Sequence, residues 1–127
     1  MKVKIIDAVE FINVYPLIKD TKLKFGTLYK LSKYIDACNK EREFYVENLN
    51  KIFDKYGEKD ESGALKLTDD KSGIIIKEDQ RDECNKELED LMAIEVDIPA
   101  DPLRIEELGS LELDLSTYSR IKPFIEE

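Results

Sequence analysis

Histidine is absent from this chain of 127 residues. Ser-His and Cys-His nucleophile systems, and any histidine metal site, are therefore outside its chemistry. Its two cysteines, Cys38 and Cys84, lie far apart and match neither a metal-ligand spacing nor a disulfide framework. They read as small, buried, reduced apolar residues. The 29 aspartates and glutamates leave carboxylate chemistry open, yet no pair stands out from the solvated background. No glycine-rich phosphate loop is present. The run Thr68-Asp69-Asp70-Lys71-Ser72-Gly73 partly imitates a calcium loop. However, Thr68 would be its first ligand and Asp79 its last, so the required aspartate and bidentate glutamate are missing. The expectation is no catalytic residue, no metal and no cofactor, hence no enzyme.

Surface recognition is the remaining chemistry. The candidate partner-contact residues are Ala37, Lys40, Phe44, Glu47 and Lys51, which recur at steps of three and four along one helix face. Phe44 stands there among charged neighbours, and a rigid aromatic ringed by polar side chains is what protein interfaces favour. An incidental surface aromatic, or one covered by the C-terminal segment, is the plainer alternative. Lys19, Lys22 and Lys24, with Lys30 and Lys33 beyond them, form the one basic cluster. It lies near the positive end of the following helix, where cations are disfavoured. Pairing with the chain's own acidic half is the first expectation for it, and an acidic partner the second.

These residues sit on a long helix, expected over about 27–56. Leu28, Leu31, Ile35, Cys38, Arg42, Tyr45, Leu49, Ile52 and Tyr56 repeat at alternating steps of three and four, a helical seam. Arg42 is the charged member, with its stem along the seam and its head expected on a carboxylate. Gly57 is expected to stop the helix in a left-handed conformation. Before it, Lys2 to Ile6 reads as a short strand, followed by a helix capped by Asp7 with Glu10 reaching back. Pro16 should end that helix near Tyr15. After the long helix, residues 64–67 and 74–76 form a β-hairpin over about 64–76. A second helix over about 77–92 carries Cys84, Leu88 and Leu91 back along the first. Residues 94–98 alternate as a strand that can pair with Lys2–Ile6. The C-terminal segment 93–127 ends in a short helix capped by Ser116, after which Phe124 and Ile125 dock.

The fold class expected is α+β, mainly α: an antiparallel helical hairpin with an inserted β-hairpin and a small sheet, in a single domain spanning 1–127.

Charge is uneven. Residues 1–57 carry 11 lysines and arginines against 8 acidic residues, a net of +3, and residues 58–127 carry 9 against 21, a net of −12. A chain of net charge −9 is repelled by nucleic-acid phosphates, so direct nucleic-acid binding is not expected. No apolar run approaches a membrane span, no signal peptide is apparent, and a cytoplasmic location follows as the expectation.

The order of elements carries a resemblance. A capped helix leads through Lys24-Phe25-Gly26 and Tyr29-Lys30-Leu31 into a long charged helix containing Glu41-Arg42-Glu43. Asp60-Glu61-Ser62-Gly63 follows, then an acidic helix ending Glu87-Leu88-Glu89-Asp90-Leu91, then Glu95-Val96-Asp97-Ile98, and a close on Leu111 to Glu127. This resembles a family of small bacteriophage proteins of unknown function. The resemblance implies a phage-type protein that works through protein contacts in or near the virion, located in the host cytoplasm or the virion, with phage or host proteins as partners. It supplies no catalytic residue. An oligomer is compatible with it. The alternative reading is an acidic, DNA-mimicking inhibitor of a host nucleic-acid-binding or defence protein.

Overall fold

The computed structural model describes residues 1–109 and 111–126. In chain order the elements are β1 (Lys2–Lys4), α1 (Ile5–Ile18), α2 (Phe25–Tyr56), α3 (Arg81–Met92), β2 (Glu95–Asp97) and α4 (Leu115–Ile121), with 3-10 turns at Glu78–Gln80, Ile105–Leu108 and Lys122–Phe124. The fold is α+β and mainly α. β1 and β2 pair antiparallel, with Val3 opposite Val96 and both side chains buried.

Capping differs from the expectation at three places. Helix α1 begins at Ile5, and Asp7 serves as its third residue, where its Oδ2 accepts from the Lys4 N–H at 3.1 Å. A carboxylate there satisfies a free donor and favours the positive helix end as an N-cap would. Asp114, not Ser116, caps α4, accepting from the Thr117 N–H at 2.7 Å. Gly57 has φ −74° and ψ 143°, an extended and not a left-handed conformation. Its lack of a side chain matters for space: a Cβ there would stand 2.6 Å from both Leu65 Cδ2 and the Phe53 carbonyl oxygen.

Helix α1 also continues through Pro16 to Ile18. The proline ring removes one backbone donor, at a cost of about 3 kcal/mol in a helix interior. Ile18 is almost fully buried, which offsets about 1.5–3 kcal/mol of that cost. The Lys19 N–H then donates to the Tyr15 carbonyl at 2.9 Å and closes the turn.

At 32 residues α2 spans about 48 Å. It packs most extensively against α1, which runs antiparallel along its N-terminal half. The α2/α3 hairpin is also antiparallel. The Lys77 N–H donates to the Tyr56 carbonyl at 2.9 Å where α2 ends, and Lys55 Nζ meets Glu87 Oε1 at 3.2 Å further along. Between these helices the β-hairpin is built from isolated bridges, not full strands. Leu67 pairs with Ile74, and the exit from α2 adds a third leg through Lys59 with Leu65 and Gly57 with Ile76.

One core joins α1, the first half of α2, β1, β2 and the C-terminal residues. Three rings form its centre: Phe11 lies 4.8 Å from Phe124 and 5.7 Å from Tyr34, and Tyr34 lies 5.3 Å from Phe124. Ile125 pairs parallel with Leu103, which pins the C-terminal segment there.

Candidate functional site

Helix α2 positions all five candidate contact residues, and the structure separates them into different surroundings. Ala37 is half-buried and packs against the core. With Lys40 it lines a hollow of about 380 Å³ whose far wall is Asp97 and Pro99. Phe44 is 48% exposed, so the C-terminal segment does not turn it into core. The Asn48 side-chain amide donates to the Phe44 carbonyl at 2.9 Å. Glu47 and Lys51 pair across one turn at 3.5 Å, both exposed. Lys51 also borders a second hollow, of about 410 Å³, between α2 and α3. The open part of the candidate face is therefore Phe44 with Lys40, Glu47 and Lys51, and Ala37 sits at its edge.

Arg42 is exposed and makes no ion pair among the described residues, in contrast to the expected edge carboxylate. The basic cluster divides. Lys30 Nζ donates to both carboxylate oxygens of Glu107, at 2.9 and 3.0 Å, and to the Pro102 carbonyl at 3.2 Å. Thr27 Oγ1 adds a hydrogen bond to the Glu107 carbonyl at 3.0 Å. The Lys30 hydrogen bond first, and then the Arg104 N–H donating to Glu107 Oε2 at 3.1 Å, hold the Glu107 carboxyl below its ordinary value. Lys33 Nζ lies 4.7 Å from the Tyr29 ring centroid, a cation-π contact. Lys19, Lys22 and Lys24 make no ion pair among the described residues, which overturns pairing with the acidic half as their explanation. The part of the acidic half that reaches this end of α2 engages Lys30 through Glu107, while α3 meets the far end of α2 through Glu87 and Lys55.

Sequence reasoning missed the apolar side chains beside those lysines. Phe25 is 91% exposed, Leu17 67% and Tyr29 63%. Phe25 opens α2 with Lys24 directly before it, and Leu17 sits in the last turn of α1. The alternation Lys22-Leu23-Lys24-Phe25 was the available signal, but a connector pattern does not say which of its apolar residues turns inward. Leu23 packs against the core and Phe25 does not.

The groups with displaced proton affinities serve the fold. Burial pushes the Cys38 thiol up to about 12, with the Glu41 charge adding to it, and burial also raises Cys84. Both cysteines are buried and unpaired, as their seam positions predict. Burial raises the Tyr34 hydroxyl above the phenol range while it donates to the Asp101 carbonyl. Asp70 is held down to about 2, mainly because its Oδ1 accepts from the Thr68 hydroxyl at 2.6 Å. That oxygen also accepts from the Ser72 N–H at 3.1 Å, so the calcium-like loop spends its carboxylate on its own turn. Among the described residues, no group of three or more Cys, Asp or Glu side chains is placed to hold a metal ion. Likewise, no helix of the described residues is long and apolar enough to cross a membrane.

The arrangement defines a small mainly-α protein in which Phe25, Tyr29 and Phe44 stand exposed along one long helix. No protein-family model, curated protein or solved structure matches the chain.

Proposed function

We propose that this is a non-enzymatic protein-interaction protein of phage type, with a structural or adaptor role in or near the virion or in the host cytoplasm. Its partners are phage or host proteins, with no cofactor and no direct nucleic-acid or membrane contact. The observation that carries the interaction role is Phe44, a half-exposed aromatic on the stiffest element, with Lys40, Glu47 and Lys51 around it. Such a ring gains affinity when a partner desolvates it. The phage assignment rests on the resemblance in element order alone.

The test is capture from phage-infected cells with the wild type and Phe44→Ala in parallel. The variant is expected to keep its melting temperature, within about 0.5 kcal/mol of stability, and to lose the captured partner. An unchanged partner yield at unchanged stability would remove Phe44 from the interface.

The acidic-inhibitor reading has its own support. Glu78 and Asp79 in the turn before α3, and Asp82, Glu83, Glu89 and Asp90 on α3, are exposed and make no ion pair among the described residues. Binding through that surface would weaken steeply with ionic strength, whereas binding through Phe44 would not.

A further inference from the structure

The end of the molecule at which α1 finishes and α2 begins is a knob. Phe25 projects there almost fully exposed, and Leu17 and Tyr29 are largely exposed. Lys19, Lys22 and Lys24 lie in the stretch of chain joining the two helices and make no ion pair among the described residues. The hollow of about 410 Å³ between α2 and α3 is large enough for a phenyl ring. In its lining Leu91 is buried and Ile52 half-buried, and its charged members are Lys51, Lys55, Glu87 and Asp90. Three of those charges are already engaged, Lys51 on Glu47 and Lys55 on Glu87 Oε1, but Glu87 Oε2 is buried with no hydrogen-bond partner among the described residues. Asp90 is exposed and has no ion pair among the described residues, so the rim is left with a free negative charge.

Knob and socket thus match in three respects: a protruding ring and a ring-sized hollow, apolar side chains on the knob and Ile52 with Leu91 in the socket, and unpaired cations against the unpaired carboxylate oxygens of Asp90 and Glu87. They cannot meet within one chain. Phe25 and the socket residues 51–52 are separated by about 40 Å of straight helix. We propose that the occupant of the socket is Phe25 of a second copy of this chain, with Lys22 or Lys24 of that copy against Asp90. The contact is heterologous, because each copy offers one knob and one socket, and it therefore builds chains or rings and not a closed two-fold dimer. This goes beyond the reading based on Phe44 and uses different residues, so either can fail without the other.

Sedimentation of the full chain over rising concentration tests it. The wild type is expected to grow beyond its 14.8 kDa monomer mass as concentration rises. Phe25→Glu, at an exposed site, should remain folded by circular dichroism and shift assembly to at least about tenfold higher concentration. Asp90→Lys should do the same from the other side. A mixture of these two variants is the decisive measurement. The Phe25→Glu copy keeps a working socket and the Asp90→Lys copy keeps a working knob, so together they should form a capped one-to-one dimer that neither forms alone. Lys24→Glu combined with Asp90→Lys in one chain should restore assembly. A wild type that stays monomeric at all concentrations overturns the proposal. So does assembly that ignores Phe25→Glu, or a mixture that yields no dimer. If the monomer instead co-sediments with phosphatidylserine vesicles through Phe25, the knob is a lipid contact and self-assembly is overturned.

Discussion

Between Phe25 and Glu41, α2 buries Thr27, Leu31, Tyr34 and Cys38; between Arg42 and Lys55 it buries no side chain among the described residues. Yet the seam continues through Tyr45, Leu49 and Ile52, which end half-buried. The first half is enclosed by α1, by the segment after β2 and by the C-terminal residues, all of which join the three-ring core. The second half has α3 and the bridged hairpin over it, and a hollow remains between the helices. The contrast teaches that periodicity selects the face of a helix, while the depth of burial depends on how many distant segments arrive to cover it.

The largest effect expected from this contrast is in the core. Phe124→Ala should cost about 3–5 kcal/mol, because a fully buried ring leaves a cavity that its neighbours refill only in part. Leu49→Ala, in the second half, should cost only about 1 kcal/mol. Urea melts followed by circular dichroism give both numbers. Equal losses would mean that the second half is as enclosed as the first.

Next comes Leu49→Pro. Within α2 it removes a backbone donor and clashes with the preceding turn, for about 3 kcal/mol. Because the core lies on the first half, the expected outcome is local fraying beyond residue 45 with exchange protection retained around Tyr34. Hydrogen exchange checks it, and uniform loss of protection would show the helix to be one cooperative unit. An unchanged spectrum and melting temperature would mean that no helix is strained there.

The smallest effect concerns the tie at Glu107. Its folded carboxyl lies below the ordinary 4.5, so its contribution is fully present above that value and is lost as pH falls through the lower folded one. Glu107→Gln should cost about 1 kcal/mol near neutrality and flatten the stability profile below pH 4.5. A variant with the wild-type acid profile would assign that slope to other carboxylates.

The sequence by itself determined the elements that depend on local spacing. The seam from Leu28 to Tyr56 specified a helix, and the structure extends it only to Phe25. The alternation at residues 94–98 specified a strand, and β2 pairs with β1 as expected. Buried, unpaired Cys38 and Cys84 followed from their seam positions. Tertiary structure decided what spacing does not encode. Pro16 stays inside α1 because burial of Ile18 holds the turn, and Gly57 serves close approach to Leu65 in place of a left-handed turn. Lys30 finds Glu107 whereas Lys19, Lys22 and Lys24 find no carboxylate among the described residues, a division set by which segment reaches which end of α2. Of the candidate site, the face containing Phe44 was legible because a helix repeats its faces. The exposure of Phe25 was not, since side-chain direction at a helix start follows from packing of residues far apart in the chain.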